Sequence, residues 1–555
     1  MNNNINLNWA NQIANILDSL GIKDICICPG SRNTPLTIAF TNNSNFRCTS
    51  HIDERSAAFF ALGISKKSKI PSVVISTSGT AVANFFPAII ESNLSRNPLI
   101  VITADRPAYL TNTGENQTIN QQNIFGTHVR KFQDLDLPSN NEEGIYDKIV
   151  SSFNKAIGTS KSPPGPIHIN IPFEEPLIKN LSNNQKTVIN EISIPKSEKF
   201  INDNNINIPD LNDSIIVCGE IKEKDSIDHI LKLSEHLNAP ILADPTSKIR
   251  YSNKHKNIIS NYNLFLDRAD LNLNIIIRFG RKPTSKLLCN LLNNHKNTLY
   301  VDRYPQFNDN TKNTIACDIK YFSKLAIDST DSNNDNNNLN SLVSLQRKIN
   351  SLIESIDINH NRCEGVLINN ILDTIDTPTN IFIGNSMAIR EMDDLTNNIN
   401  KKINIYCNRG ASGIDGLVST ALGISKNSNK SNISILGDLS FYHDMNGLLS
   451  TTQMDLNIKF VILNNNGGGI FSKLDIAKLN YDKFEKFWTT PLNLDIKKIA
   501  DLYNLEYIEI KNHNDLKRLN KKNTKAEIFD YKINIKESIK NKEEILTKVD
   551  KILKD

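Results

Sequence analysis

Short apolar runs that stop abruptly at small polar or charged residues set the strongest limit on how this chain folds. Asp24–Cys28 (DICIC) runs into Pro29-Gly30-Ser31-Arg32. Ser72–Thr77 (SVVIST) runs into Ser78-Gly79-Thr80, and Leu99–Ala104 (LIVITA) into Asp105-Arg106-Pro107. Runs this short, apolar throughout and rich in β-branched residues, read as strands buried on both faces. The amphipathic stretches between them supply crossover helices, so the pattern predicts βαβ units and a mostly parallel sheet. Ligands of such sheets bind beyond the carboxyl ends of the strands, where Ser31, Arg32, Ser78, Gly79 and Arg106 all fall. A last strand, Ile167–Ile171, closes at Pro172.

The pattern recurs twice more. Leu181–Ser214 is rich in Asn, Lys and Ile and reads as a linker. Ser214–Gly219, Ala239–Ala243, Asn274–Phe279 and Thr298–Val301 are spaced for a second α/β domain. Asp328–Asn340 (DSTDSNNDNNNLN) is low in complexity and reads as a flexible loop. Strands at Asn380–Gly384, Asn404–Cys407, Asn432–Leu436 and Lys459–Leu463 form a third series. The expected fold is α/β, with three doubly wound parallel-sheet domains at about 1–185, 205–340 and 355–555. The 555 residues agree with three or four domains at roughly 150 residues each.

Composition excludes several function classes. Sixty-four basic against 60 acidic residues leave +4, too little for a chain of this size to argue for nucleic acid. No apolar run approaches the ~20 residues that span a bilayer, so no membrane insertion is expected. Met1-Asn2-Asn3-Asn4 opens no secretory leader or transit peptide. The eight cysteines are scattered without a CxxC pair, which fits a reducing compartment such as the cytoplasm.

The strongest chemical signal lies in the third series. Asn432–Leu436 ends in Gly437-Asp438, and Lys459–Leu463 ends in Asn464-Asn465-Asn466-Gly467-Gly468-Gly469, with Asn465 27 residues after Asp438. That spacing fits one crossover with a helix over roughly Asp444–Met454. A right-handed βαβ unit then sets both residues at one edge of neighbouring strands. An acidic oxygen, an amide oxygen and a loop carbonyl, as at Gly467, make a hard-cation site suited to Mg²⁺, with Mn²⁺ as a substitute. The glycines let backbone approach a bulky anion. Together these residues match the metal–diphosphate signature of thiamine-diphosphate enzymes. Such an enzyme also needs a carboxyl group on the cofactor's aminopyrimidine ring. The candidate is Glu54 in His51-Ile52-Asp53-Glu54-Arg55, after a short strand and before a helix from Ser56; Asp53 competes for the role.

Further segments extend the likeness: CPGSRNTPL (Cys28–Leu36), HIDERSAAFFALG (His51–Gly63), TSGTAVANFFPA (Thr77–Ala88), TADRP (Thr103–Pro107), ENQTI (Glu115–Ile119), GNSMAIR (Gly384–Arg390), NRGASGIDG (Asn408–Gly416), GDLSFYHDMN (Gly437–Asn446) and NNNGGGIF (Asn464–Phe471). On these residues the chain resembles the MenD family, the 2-succinyl-5-enolpyruvyl-6-hydroxy-3-cyclohexene-1-carboxylate synthases of menaquinone and phylloquinone biosynthesis. The resemblance implies an N-terminal pyrimidine-binding domain, a middle domain and a C-terminal diphosphate-binding domain. It implies a cofactor held between two subunits, hence a homodimer or homotetramer, in a bacterial cytoplasm or a plastid stroma. It further implies thiamine diphosphate with Mg²⁺, and a reaction that decarboxylates 2-oxoglutarate and adds the succinic semialdehyde carbanion to isochorismate.

By the same resemblance Glu54, Arg32 and Gln117 are catalytic. Ser31, Arg32, Arg106, Gln117, Lys286, Ser386, Arg390, Arg409 and Phe471 bind substrate. The cofactor rests on Glu54, Ser78, Gly79, Arg409, Ser412, Gly413, Ile414, Gly437, Asp438, Leu439, Ser440, Asn465, Gly467, Gly468 and Ile470, with Asp438, Asn465 and Gly467 on the metal. Ile414 would be the apolar wedge under the bent cofactor. Two dicarboxylate substrates independently call for arginines, whose fork binds carboxylates bidentately. Leu287 stands where family members often carry a second basic residue after the middle-domain lysine. Competing readings are another thiamine-dependent 2-oxoacid decarboxylase or carboligase, a catalytically silent thiamine-fold protein, and a flavin- or nicotinamide-dependent oxidoreductase. The last lacks a G-x-G-x-x-G after any strand.

Overall fold

The computed structural model describes residues 4–141, 143–179, 200–202, 206–221, 223, 226–252, 254–332, 336–479 and 481–554. Three six-stranded, all-parallel sheets carry the fold. The first contains β1 (Asp24–Ile27), β2 (Arg47–Ser50), β3 (Ser72–Ser76), β4 (Leu99–Asp105), β5 (Lys131–Asp134) and β6 (Pro166–Pro172), in the order β2-β1-β3-β4-β6-β5. The second contains β7 (Ser214–Cys218), β8 (Ile241–Ala243), β9 (Ile258–Ile259), β10 (Ile275–Phe279), β11 (Thr298–Asp302) and β12 (Asn313–Ala316), in the order β12-β11-β10-β7-β8-β9. The third contains β13 (Thr379–Ile383), β14 (Ile403–Tyr406), β15 (Ser431–Gly437), β16 (Lys459–Asn464), β17 (Glu506–Glu509) and β18 (Glu527–Lys532), in the order β14-β13-β15-β16-β18-β17. Each order runs outwards in both directions from an early strand, the doubly wound arrangement expected from the sequence.

The chain divides into two compact units. One comprises Met1–Phe200, Asn408–Asn427 and His443–Met454, built on the first sheet. The other comprises Ile201–Cys407, Ser428–Tyr442 and Asp455–Asp555, built on the second and third. In the first unit Ile25, Ile27, Val73, Ile75, Ile100, Ile102, Ile167 and Ile169 are fully or almost fully buried against Ile13 and Leu17 of the helix Ile5–Ser19. In the second unit Ile381, Ile383, Ile433, Ile435, Val461 and Phe529 do the same work. Burying one such side chain contributes about 1.5–3 kcal/mol, so a one-residue slip of any central strand is costly. The strand tips are thereby held in register.

Two local expectations need correction. Asp328–Asn340 is helical at both ends: Ile319–Ser329 and Asn337–Glu354 enter it from either side, with residues 333–335 outside the described set. Asn336 caps the second helix by accepting from the Asn338 N–H, and Leu339, Leu342, Ile349 and Ile353 give that helix a buried face. The crossover expected as a helix over Asp444–Met454 is instead a 3₁₀ turn, Met445–Leu449, and a short helix, Ser450–Gln453. There Gly447 packs so closely on Ser419 that a Cβ would lie 2.3 Å from its Oγ. Of the expected linker, residues 181–199 and 203–205 lie outside the described set, and 206–213 hold neither helix nor strand.

Candidate active site

At the first sheet's carboxyl edge, β1 and β3 lie side by side at the point where strand order reverses. A Cβ on Gly30 would sit 2.3 Å from the Cβ of Thr77, so the loops after β1 and β3 meet directly. Arg32, buried to 7% exposure, donates to the Phe173 carbonyl (2.9 Å) and to Glu175 (2.8 Å), while Ser31 beside it is exposed. Arg106 donates to Ser78 Oγ and, at 2.7 Å, to the carbonyl of exposed Gln117. Gly79 takes φ +85° and donates to Gln121 Oε1 (2.8 Å). Burial, then the charge of Arg32, pulls the Arg106 guanidinium below its usual range. Two guanidiniums at one switch point form an edge suited to carboxylates.

Glu54 opens the helix Glu54–Ser68 beyond β2. Asp53 is the N-cap, accepting from the Ser56 N–H, and also accepts from Asn446. Its carboxylate is thus occupied in holding the helix. Glu54 is half-buried and accepts from Asn84 Nδ2 at 3.2 Å. Burial, then the nearby charge of Glu54, raises the Cys28 thiol well above its usual range, which sets Glu54 near the end of β1. Of the two competing acids, Glu54 is the one that takes no part in capping the helix.

The loop carrying Arg409, Ser412, Gly413 and Ile414 belongs to the same unit. Buried Glu91 holds its backbone, accepting from the N–H groups of Gly410 (3.1 Å) and Ala411 (2.8 Å) and from Lys66 Nζ (3.0 Å). Ser412 has φ +63°, and Ile414 is 39% exposed. The loop ends at Gly416, φ +66°, where the Phe59 ring occupies the space a Cβ would need. Gly416 is the N-cap of the helix Leu417–Ser425 and has no side chain to cap with. Asp444 supplies the cap, its Oδ2 accepting from the Ser419 N–H at 2.6 Å.

The third sheet places its tips as the spacing required. β15 and β16 pair in parallel with Gly437 opposite Leu463, so Asp438 and Asn465 follow at adjoining tips. Asp438, 2% exposed, accepts from the N–H groups of Leu439 (2.9 Å) and Gly467 (2.8 Å). Burial raises its carboxyl to about 6 against those hydrogen bonds. Asn465 Oδ1 is buried without a hydrogen-bond partner. Gly467, φ +142°, has no room for a side chain because a Cβ would lie 2.4 Å from the Thr489 carbonyl. Among the described residues no cluster of three His, Cys, Asp or Glu could hold a metal. A cation here must use amide and carbonyl oxygens, and the buried acid and orphaned amide oxygen fit that need.

Gly437, Leu439, Ser440, Gly468, Ile470 and Phe471 flank these tips, and Phe471 packs where a Cβ on Gly468 would meet its ring at 2.7 Å. Ser386, φ +65°, caps the helix Met387–Leu395 after the neighbouring β13, and Arg390 donates to its carbonyl (2.7 Å). Lys286 instead lies exposed at the first turn of the helix Lys286–Asn294, on the second sheet. Its charge reaches Asp475, beyond Phe471, whose carboxyl is held low first by Lys478 and in smaller part by Lys286.

Comparison with known proteins agrees with this arrangement. Residues 7–124 match the N-terminal TPP-binding domain of thiamine pyrophosphate enzymes, and residues 396–529 the C-terminal one. The 2-succinyl-5-enolpyruvyl-6-hydroxy-3-cyclohexene-1-carboxylate synthase of Listeria innocua is 37% identical over 519 residues, covering 89% of each chain. That of Staphylococcus aureus is 35% identical over 554 residues, covering 98% of this chain and 97% of its own. The chain belongs to this synthase family. The benzoylformate decarboxylase of Polynucleobacter necessarius shares the fold, with a TM-score of 0.70 at 15% identity over 95% of this chain and 98% of its own.

Within this synthase-family chain, Glu91, Lys66 and Asp444 organise the site region and were not singled out from sequence. Glu91 carries a signal, a lone acid inside the apolar helix Phe86–Leu94. Lys66 and Asp444 carry none, because their roles are set by groups 25 residues away in both cases.

Proposed function

We propose that the chain catalyses the thiamine-diphosphate- and Mg²⁺-dependent decarboxylation of 2-oxoglutarate and the addition of the four-carbon unit to isochorismate. The product is 2-succinyl-5-enolpyruvyl-6-hydroxy-3-cyclohexene-1-carboxylate, with release of CO₂. The observation that carries this reading is the pair of adjoining strand tips, with a buried acid at Asp438 and a partnerless amide oxygen at Asn465. Membership of the synthase family supports the substrates.

Asp438, Asn465 and the Gly467 carbonyl would hold Mg²⁺ or Mn²⁺, and Gly437, Leu439, Ser440, Gly468 and Ile470 would line the diphosphate. Thiamine diphosphate supplies the electron sink for breaking and forming carbon–carbon bonds. Glu54 would hold a proton against the aminopyrimidine ring nitrogen, a role its half-buried position leaves open. Ser78, Gly79, Ser412, Gly413 and Ile414 pack the rings, with Ile414 as the wedge. Arg32 and Arg106 fix substrate carboxylates, aided by Ser31, Gln117, Ser386, Arg390, Arg409, Lys286 and Phe471. Arg32 and Gln117 also orient the reacting carbons.

The pyrimidine, middle and diphosphate domains are taken as 1–185, 205–340 and 355–555. A homodimer or homotetramer completes the site, and the bacterial sources of the relatives favour a cytoplasmic setting. Among the described residues no helix is long and apolar enough to cross a membrane. Purified protein mixed with thiamine diphosphate, Mg²⁺, 2-oxoglutarate and isochorismate should consume isochorismate and yield the product mass. Each single omission should stop the reaction. Turnover without thiamine diphosphate, or with pyruvate in place of 2-oxoglutarate, would refute the reading.

A further inference from the structure

We propose that Glu364 is the positioning residue for the metal ligand Asn465, fixing which end of its amide faces the cation. The inference rests on the metal reading above. Glu364 is 5% exposed and opens the helix Glu364–Thr374. Its Oε1 accepts from Asn465 Nδ2 at 3.4 Å, and its Oε2 accepts from Ser538 Oγ. Both Glu364 oxygens accept, so the carboxylate faces the NH₂ end of the Asn465 carboxamide and turns the oxygen end away. The oxygen turned away is the buried Oδ1 that has no partner.

A second observation supports the same orientation. A Cβ on Gly469 would lie 2.7 Å from Asn465 Nδ2, so the amide is wedged between Gly469 and Glu364. Ser538 holds the far carboxylate oxygen from the helix Ile535–Lys554, which keeps Glu364 from swinging away. Neighbouring Glu391 is engaged by Lys542 (2.8 Å) and Lys473 (3.0 Å), so neither of those bonds competes for the Glu364 carboxylate. Partners behind a metal ligand set its orientation, and their loss typically costs about 10–100-fold in metal affinity.

The test is Mg²⁺ titration by calorimetry, and Mn²⁺ titration by electron paramagnetic resonance, on the full chain with saturating thiamine diphosphate. Glu364→Ala should weaken metal binding about 10–100-fold. Glu364→Gln keeps an acceptor oxygen and should bind within a few-fold of the unsubstituted chain. Asn465→Asp sets two carboxylates face to face and should bind weakly, and Glu364→Gln in that background should restore affinity. The rescue is read on a folded pair of variants even where Glu364→Ala fails to fold. Unchanged metal affinity in Glu364→Ala, or no rescue in the double variant, overturns the inference. Failure of the parent reading looks different: Asp438→Ala would then bind Mg²⁺ as the unsubstituted chain does.

Discussion

The carboxyl edges of the first and third sheets are built on one plan and prepared for opposite charges. At the first edge three acids serve the local structure, and two guanidiniums, held by Glu175 and by Ser78 and the Gln117 carbonyl, share one switch point. Asp53 caps one helix, Asp444 caps another, and Glu91 holds a loop by its backbone, while Arg32 and Arg106 approach one another. At the third edge the nearby cations are likewise bound locally, and the strand tips carry a buried acid and an amide. Lys542 and Lys473 are engaged by Glu391, and Arg390 by a carbonyl, while Asn465 Oδ1 is left without a partner. The lesson is that a parallel sheet fixes where a ligand sits, and the local disposal of charge decides whether that ligand is an anion or a cation.

The second sheet brings its loops together at the reversal point as the first does. At its reversal point a Cβ on Gly219 would lie 1.7 Å from the Arg281 carbonyl, and Arg281 pairs with Glu220 at 2.7 Å.

Four substitutions press on this comparison, beginning with the largest effect. Glu54→Gln should cut kcat by about 10²–10⁴-fold with thermal melting unchanged, since the lost step is proton transfer. Turnover within a few-fold of normal would remove Glu54 from the chemistry. Glu91→Ala removes the carboxylate that pairs with buried Lys66 and should lower unfolding stability by about 3–5 kcal/mol. Chemical denaturation gives that value, and a loss below about 1 kcal/mol would show the anchor to be slack. Arg106→Ala should raise KM for the dicarboxylate substrates roughly 10–100-fold, the worth of one charged hydrogen bond. Steady-state kinetics with kcat and KM separated would show whether the cationic edge grips substrate.

The smallest effect concerns Asp444, whose carboxyl burial raises to about 6 while the bonds from Ser419 pull it down. A raised acid favours the protonated folded state, so its contribution is greatest below about pH 4 and is lost as pH rises to 6. Asp444→Asn removes that dependence. The stability of the variant minus that of the unsubstituted chain should therefore rise between pH 4 and 6 and stay level above. A difference that does not vary with pH would contradict the shift.

Much of this was readable from sequence because it is periodic or local. Apolar runs such as LIVITA and NISIL announced buried strands, and the Gly-Asp and Asn-rich tips that end two of them marked the third edge. What was not readable depends on tertiary geometry. The helix over Asp444–Met454 fails because Gly447 must pack on Ser419 and Asp444 must cap a different helix. The polar segment before Glu354 becomes helical because Asn336 caps it and four apolar residues find a core. Lys286 stands on the helix Lys286–Asn294, and its charge reaches Asp475 across the fold, a proximity that no local pattern in the sequence shows.

The most direct test of the central claim is calorimetric titration of thiamine diphosphate into the protein, with and without Mg²⁺, for the unsubstituted chain and for Asp438→Ala. The account predicts tight binding that requires Mg²⁺ in the former and a loss of at least ~100-fold in the latter. Equal affinity in the two proteins, or binding indifferent to Mg²⁺, would contradict it.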